Sequence, residues 1–175
     1  MNHTPTPPAP TTEPPPLLAP LVRAAGQAVG SARARMQKAL LAQHRMGAAQ
    51  IADKLPPLLE AMRRDGRRVL WICDPMHGNT ESTTNGYKTR RFRNIRSELE
   101  LSLDLHAAAG TRLGGVHLEL TGEDVTECLG GARELTESDL ERAYHSTVDP
   151  RLNYEQALEV AMLIVRKQEQ ISAPV

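Results

Sequence analysis

Three side chains of this sequence could together hold a divalent metal ion: His77, Glu119 and Asp149. One histidine nitrogen and two carboxylate oxygens suit a borderline or hard cation such as manganese, cobalt, iron or zinc. Such a site leaves coordination positions open for a substrate, which favours Lewis-acid catalysis on a carbonyl group. Each residue alone also fits an ordinary role, because a lone histidine is often structural and a carboxylate often caps a helix.

Arg45 and Lys88 are candidate anion-binding residues. A guanidinium group can hold a phosphate or a carboxylate through two parallel hydrogen bonds. Lys88, followed by the basic pair at 90–91, could add positive charge for a phosphate group. Either side chain could instead form a surface salt bridge or face solvent. Cys73 and Cys128 have no histidine partner at motif spacing, so a nucleophilic cysteine is not expected.

The candidate ligands follow stretches that predict strands. Residues 68–73 form an apolar run bounded by turn formers, which predicts a fully buried strand with His77 just beyond its end. Residues 116–120 and 147–150 place the other two candidate ligands at two further strand ends. Because the carboxyl ends of parallel strands converge on one face, the three side chains are expected to lie together there.

Helical patterns separate these strands and predict an α/β fold with a parallel sheet and right-handed crossovers. Residues 39–43, ahead of Arg45, are too short a run to assign to a strand or to the end of a helix. Pro56-Pro57 should break or kink the first helix of the pattern. A polar loop is predicted at 74–89. The predicted helices lie at 48–64, 90–109, 136–144 and 153–169.

Composition limits the classes of protein. The chain has 175 residues with 21 basic and 21 acidic side chains and 3% aromatics, which argues against a nucleic-acid partner. Two cysteines do not make a disulfide framework, and neither a membrane-spanning run nor a signal peptide is evident. A cytoplasmic protein without a membrane partner is therefore expected. Residues 1–16 hold seven of the thirteen prolines and predict a disordered Pro/Thr-rich tail, followed by a helix at 17–38.

Several longer motifs in residues 39–175 resemble the class II (plant-type) 3-deoxy-D-arabino-heptulosonate 7-phosphate (DAHP) synthases. They run in order and at matching spacing from about Leu41 to about Lys167. They are Arg45-Met46-Gly47, Lys54-Leu55-Pro56-Pro57, Cys73-Asp74-Pro75-Met76-His77-Gly78-Asn79-Thr80, Asn85-Gly86-Tyr87-Lys88-Thr89-Arg90, Gly114-Gly115-Val116-His117-Leu118-Glu119, residues 121–131 and Asp149-Pro150-Arg151-Leu152-Asn153.

The resemblance implies a TIM-type (β/α)8 barrel enzyme that condenses phosphoenolpyruvate with erythrose 4-phosphate at the entry to the shikimate pathway, toward the aromatic amino acids. It implies a divalent metal that polarises the aldehyde. By the resemblance, His77, Glu119 and Asp149 match three of the four metal ligands of the family. Arg45 matches an arginine that binds phosphoenolpyruvate.

The match covers the C-terminal half of the family barrel, about four βα units. The fourth metal ligand is a cysteine of the missing half, which neither Cys73 nor Cys128 matches, and a lysine and further arginines of the substrate site also lie there. A half-barrel has open strand edges, so a homo-oligomer or a complementing N-terminal half is expected as partner. The isolated chain is expected to be weakly active or inactive. The alternative is a non-catalytic truncated paralogue that binds or regulates a full-length synthase.

Overall fold

The computed structural model describes residues 39–172. The predicted tail at 1–16 and the predicted helix at 17–38 lie outside this part of the chain. In the described part, three strands form one sheet in the order β1-β2-β5, and two short strands form an antiparallel hairpin. The strands are β1 (Ala39–His44), β2 (Arg68–Cys73), β3 (Thr80–Ser82), β4 (Lys88–Arg90) and β5 (Leu113–Val116).

Three α-helices and two 3-10 turns complete the described residues. They are α1 (Ile51–Arg64), α2 (Phe92–Ala108) and α3 (Tyr154–Ser172), with 3-10 turns at His77–Asn79 and Glu137–Arg142. The run at 39–43 therefore belongs to a strand. The predicted loop at 74–89 is more ordered than expected, because it contains a 3-10 turn and the β3-β4 hairpin. That hairpin delays the start of α2 to Phe92.

Strands β2 and β5 run parallel, with Trp71 opposite Leu113 and Cys73 opposite Val116. Helices connect the strands, as the alternating sequence pattern predicts. The fold is thus α/β with a parallel sheet, consistent with part of a TIM-type barrel. None of the helices within residues 39–172 combines the length and the apolar character needed to span a lipid bilayer.

The hydrophobic core lies between the sheet and the helices. Trp71 and Cys73 on β2 pack against a cluster that includes Leu55 of α1 and Ile95 and Leu99 of α2. Full burial of such side chains stabilises the folded chain by about 1.5–3 kcal/mol each. This core fixes β2 against α2 and so fixes the strand end from which the candidate site begins.

The prediction that strand 68–73 is fully buried is wrong. Its burial alternates, since Trp71 and Cys73 are buried whereas Leu70 is 52% exposed. Leu41, on the neighbouring strand, is 71% exposed. Successive side chains of a strand point to opposite faces of the sheet. Among the described residues, helices cover only one of these faces.

The two later strands also differ from prediction. The strand expected at 116–120 is β5, which ends at Val116, three residues before Glu119. Residues 147–150 form no strand in the described part of the chain, and only an isolated parallel bridge joins Leu120 to Leu152. Pro150 has no backbone N–H to donate to a ladder. The backbone pairing therefore forms two residues later, where the Leu152 amide donates to the Glu119 carbonyl at 2.9 Å.

The expected break at Pro56-Pro57 does not occur, because α1 is continuous from Ile51 to Arg64. Both prolines lie on the exposed side of the helix. The carbonyl groups that lose an intrahelical partner there can bond to water. Leu55 and Leu59 are buried on the opposite side and hold the helix against the core.

Candidate metal centre

The three candidate ligands lie together at the carboxyl end of the sheet. One donor atom each of His77, Glu119 and Asp149 falls within 4.8 Å of the others. The Nε2 atom of His77 is 3.2 Å from Oε1 of Glu119. His77 belongs to the 3-10 turn after β2, whereas Glu119 and Asp149 come from irregular segments. The structure thus brings the three side chains together, and metal binding by them stays a prediction.

A buried carboxylate, Asp74, orients His77. Its oxygens lie 2.8 and 2.9 Å from Nδ1 of the His77 ring and also accept the backbone amides of Met76 and His77 at 3.1 and 3.2 Å. Burial alone would raise the pKa of Asp74, but these bonds from His77 outweigh it and hold the pKa below its usual range. The ring is therefore fixed with Nε2 toward Glu119. Such a carboxylate–histidine pair is common behind metal ligands.

Sequence reasoning missed the role of Asp74, although a signal for it exists. An aspartate that follows a strand and precedes a candidate ligand by three residues can reach both the ligand ring and the amides of the turn. The local sequence pattern presents Asp74-Pro75 only as turn formers that bound the predicted strand at 68–73. The side chain is fully buried, which excludes a purely solvent-facing role.

Arg90 ties the two candidate carboxylate ligands together. Its guanidinium group is fully buried and lies 2.5 Å from Glu119 and 3.4 Å from Asp149. It also donates to Thr80 Oγ1 at 3.0 Å and contacts the carbonyl of Pro150. In the local sequence, this arginine is visible only as part of the basic pair at 90–91. It turns inward because it pairs with Thr80 across the β3-β4 hairpin, and this register is not visible in the local sequence.

Lys88 also lies at the site. Its Nζ atom is 2.5 Å from Oδ1 of Asp149. This bond from Lys88 is the main cause that holds the pKa of Asp149 below its usual range, and the charges of Lys88, Arg90 and His77 act in the same direction. Lys88 is therefore paired with a candidate ligand. Its predicted contact with a phosphate group stays a prediction.

Two further side chains flank the ligands. Arg45 is 58% exposed, and its Nε atom lies 3.7 Å from the Asp74 carboxylate that also holds His77. The ring of His117 is 5.7 Å from the ring of His77. Arg45 thus stands at the open side of the site, linked to the candidate metal histidine through one shared aspartate. Binding of phosphoenolpyruvate by Arg45 stays a prediction.

A separate group of possible donors lies in the core: His44, Cys73 and Glu98. Burial raises the pKa of the Cys73 thiol to about 12, so it stays protonated near neutral pH. The Glu98 oxygens are already occupied by the amides of residues 46–47 and by Asn79. These contacts mark the group as part of the packed interior.

The donor set at His77, Glu119 and Asp149 fits a divalent cation. One imidazole nitrogen and two carboxylate oxygens lie within 4.8 Å of one another. The second ring nitrogen of His77 is already bound to Asp74. Mixed nitrogen and carboxylate ligands are typical of manganese, iron, cobalt and zinc sites. Basic side chains balance the charge of the two candidate ligand carboxylates, since Arg90 contacts both and Lys88 contacts Asp149.

Comparisons with known proteins agree with the resemblance. The model of the class-II DAHP synthetase family matches residues 33–165. The phospho-2-dehydro-3-deoxyheptonate aldolase AroG of Mycolicibacterium smegmatis is 50% identical over 120 residues, which is 69% of this chain and 26% of that protein. The phospho-2-dehydro-3-deoxyheptonate aldolase of Streptomyces coelicolor is 49% identical over 120 residues, 69% of this chain and 27% of that protein.

A fungal relative gives the same result. The phospho-2-dehydro-3-deoxyheptonate aldolase of Neurospora crassa is 51% identical over 122 residues, 69% of this chain and 25% of that protein. The chain therefore spans about a quarter of the length of the curated relatives it matches. The family match extends over most of the chain and includes every candidate site residue. The chain belongs to the class-II DAHP synthetase family.

Proposed function

We propose that this chain carries the metal-binding part of a 3-deoxy-7-phosphoheptulonate synthase. The reaction joins phosphoenolpyruvate, erythrose 4-phosphate and water to give DAHP and inorganic phosphate, and it opens the shikimate pathway toward the aromatic amino acids. The convergence of His77, Glu119 and Asp149 within 4.8 Å carries the proposal. Family membership supplies the reaction, and the geometry supports the roles of the residues.

Each residue has a distinct task in this proposal. His77, Glu119 and Asp149 hold a divalent metal, manganese or alternatively cobalt, iron or zinc, which when bound polarises the aldehyde of erythrose 4-phosphate. Asp74 keeps the His77 ring oriented, with Nδ1 protonated and Nε2 free to bind.

The basic side chains serve the anionic substrates. Arg45 is exposed beside Asp74 and holds an anionic group of phosphoenolpyruvate. Lys88, once its contact with Asp149 is replaced, turns its ammonium group to a substrate phosphate. Arg90 is too deeply buried for that task and keeps the two carboxylate ligands in place.

We also propose that the 175-residue chain needs a complementing chain for turnover at the family's rate. In this proposal, the described residues contribute three metal ligands and one arginine for phosphoenolpyruvate. The sheet face that carries Leu41 and Leu70 is uncovered in this part of the chain. A second copy or a separate N-terminal half of the barrel would cover this face and complete the substrate site.

The uncovered face also favours a second function. A chain that docks this apolar face on a full-length synthase could bind or regulate that enzyme without catalysis of its own. Exposed contiguous apolar surface commonly marks such an interaction site. The two functions differ in whether added N-terminal residues restore turnover.

Manganese titration of the purified chain tests the metal proposal. We expect His77→Ala to weaken Mn²⁺ binding strongly, whereas His145→Ala, which removes an exposed histidine, should leave it unchanged. Equal Mn²⁺ affinity of His77→Ala and the wild type would contradict the assignment of the three ligands.

A complementation assay tests the need for a second chain. The chain is assayed with both substrates and Mn²⁺, alone and mixed with a separately expressed N-terminal half of a relative. We expect turnover only in the mixture. Turnover by the chain alone at ordinary enzyme rates would contradict the proposed complementation. Absence of turnover in both assays, with binding to a full-length synthase, would favour the regulatory function.

A further inference from the structure

A carboxylate outside the candidate metal centre joins the two segments that lead into it. Glu98 lies in α2 and is fully buried. Its Oε1 atom accepts the backbone amides of Met46 at 2.9 Å and Gly47 at 3.0 Å, and its Oε2 atom accepts the Asn79 amide group at 2.7 Å. One side chain therefore holds both the segment after β1 and the turn after β2.

Asn79 makes a second link between the same segments. Its Oδ1 atom accepts the backbone amide of Ala48 at 3.0 Å, and its Nδ2 group also donates to the carbonyl of Pro75 at 2.8 Å. The side chain thus bonds to the segment after β1, to its own turn and to Glu98. All of these contacts involve buried or partly buried groups.

Direct backbone contact makes the junction tight. A Cβ atom added to Gly78 would lie 2.5 Å from the Gly47 nitrogen, and one added to Gly47 would lie 2.6 Å from the Gly78 oxygen. Gly47 also has φ +80°, a conformation that favours glycine. The two backbones can approach this closely only because neither residue has a side chain.

The segments that meet here carry two different functions of the proposed site. Arg45 directly precedes the amides held by Glu98, and His77 lies two residues before Asn79. We propose that Glu98, acting through Asn79 and the amides of residues 46–47, is a positioning residue that sets the substrate-binding Arg45 segment against the metal-binding His77 turn. This inference rests on the proposed function for the roles of Arg45 and His77.

The chemistry explains why a carboxylate stands at this position. Three N–H donors converge on Glu98, and an ionised carboxylate offers acceptor sites on both oxygens. Hydrogen bonds to a charged acceptor are stronger than those between neutral groups. Glutamine has the same size but only one acceptor oxygen, and its NH₂ group would face the NH₂ group of Asn79. Glu98→Gln therefore removes the link while it preserves packing.

Amide hydrogen exchange of the full 175-residue chain, resolved by NMR, directly measures the hydrogen bonds by which Glu98 joins the two segments. We expect Glu98→Gln to lower the protection of the amides at 46–48 by about tenfold, because the amides at 46–47 then donate to a neutral oxygen and Asn79, which holds the Ala48 amide, loses its acceptor. Glu100→Gln is the matched control, since Glu100 lies on the same helix and pairs at the surface with Arg96. Unchanged protection at 46–48 in Glu98→Gln would overturn the inference.

A compensating exchange separates positioning from packing. In the double variant Glu98→Gln/Asn79→Asp, the new amide of residue 98 can donate to the new carboxylate of residue 79. We expect this pair to recover part of the protection that each single variant loses. If the double variant loses as much amide protection as the two single variants lose together, the proposed link between Glu98 and Asn79 is overturned.

Mn²⁺ binding, followed by electron paramagnetic resonance, connects the link to the site. We expect Glu98→Gln to weaken Mn²⁺ binding by about tenfold, with recovery in the double variant. Unchanged Mn²⁺ affinity with reduced protection at 46–48 would overturn the positioning role but leave the proposed function intact. Failure of the wild type to bind Mn²⁺ would overturn the proposed function and the positioning role with it.

If Glu98→Gln reduces amide protection throughout β2, as global unfolding would, a milder variant tests the positioning role. Asn79→Ser keeps the bonds from the amides of residues 46–47 to Glu98 and removes the bonds that the Asn79 side chain makes to Ala48, Pro75 and Glu98. We expect reduced protection of the Ala48 amide and weaker Mn²⁺ binding in this variant. Wild-type Mn²⁺ affinity in Asn79→Ser would overturn the inference.

Discussion

Replacement of Asp74 by asparagine tests how the candidate metal centre is built. Asp74 is buried and accepts from the His77 ring at 2.8 Å, from the Gln43 side chain at 2.8 Å and from two backbone amides. Asparagine keeps one acceptor oxygen and replaces the other by an NH₂ group. The variant therefore loses the negative charge behind His77 and at least one of these bonds, with little change in volume.

The expected magnitudes follow from these contacts. Loss of a carboxylate behind a metal-binding histidine lowers metal affinity by about 10–100-fold, which corresponds to about 1.4–2.7 kcal/mol. Loss of a hydrogen bond to a charged group lowers the free energy of unfolding by about 1.5–3 kcal/mol. We therefore expect Asp74→Asn to fold, to be less stable than the wild type and to bind Mn²⁺ more weakly.

The stability difference should depend on pH with a definite sign. Contacts with His77 hold the pKa of Asp74 below its usual range despite burial. A carboxylate with a lowered pKa in the folded state stabilises the fold above its unfolded pKa of about 3.9 and loses this contribution as pH falls through the folded pKa. The difference between wild type and Asp74→Asn should thus be largest near neutral pH and shrink in acid.

Calorimetric Mn²⁺ titration and urea unfolding of both proteins measure these effects. Asp65→Asn is the matched control, because Asp65 is exposed after α1 and pairs only with Arg67 in the described ion pairs. If Asp74→Asn binds Mn²⁺ as tightly as Asp65→Asn, the carboxylate does not orient a metal ligand and the reasoning is refuted.

Three other substitutions test the surrounding structure by urea unfolding. Burial lowers the pKa of His106 to about 4, so protonation of this group from pH 6.5 downward favours the unfolded chain. His106 should account for a loss of roughly 2 kcal/mol of stability between pH 7 and pH 5, which His106→Leu should remove. Arg90→Met should cost about 1–3 kcal/mol, because it removes the charged hydrogen bonds from the guanidinium group to two partly exposed carboxylates, and a cost no larger than that of exposed Arg93→Met would contradict this role. Gly78→Ala should cost about 1–3 kcal/mol through backbone overlap, whereas Gly122→Ala meets open space and should be nearly neutral.

Local sequence patterns predicted much of the chain's organisation. The bounds of β2 coincide with the predicted run at 68–73. The helices predicted at 48–64, 90–109 and 153–169 appear with ends shifted by a few residues, and the one predicted at 136–144 is a 3-10 turn after Thr136. These features depend on short-range periodicity, on glycine and on capping side chains, which the sequence displays directly. The prediction of a strand end at residues 147–150 was wrong, because the segment pairs through Leu152 with residues 119–120, and this pairing depends on the tertiary structure.

The candidate site divides in the same way. Residue type and position after predicted strands made His77, Glu119 and Asp149 candidate ligands, and positive charge made Arg45 and Lys88 candidate anion-binding residues. The family resemblance named the reaction. The supporting contacts required the fold. Asp74 is defined as the partner of His77 by the turn that brings its oxygens to Nδ1, and Arg90 is defined by the hairpin register.

The sequence by itself thus determined which residue types were available for metal and anion binding, and in what order along the chain. Only the tertiary structure decided that Arg90 points into the site, that Lys88 neutralises Asp149 and that Glu98 joins two segments about 50 and 20 residues away along the chain. The physical reason is that these contacts depend on packing between distant segments. Ionic and hydrogen-bonded partners are chosen by distance in space, and sequence separation carries no record of that distance.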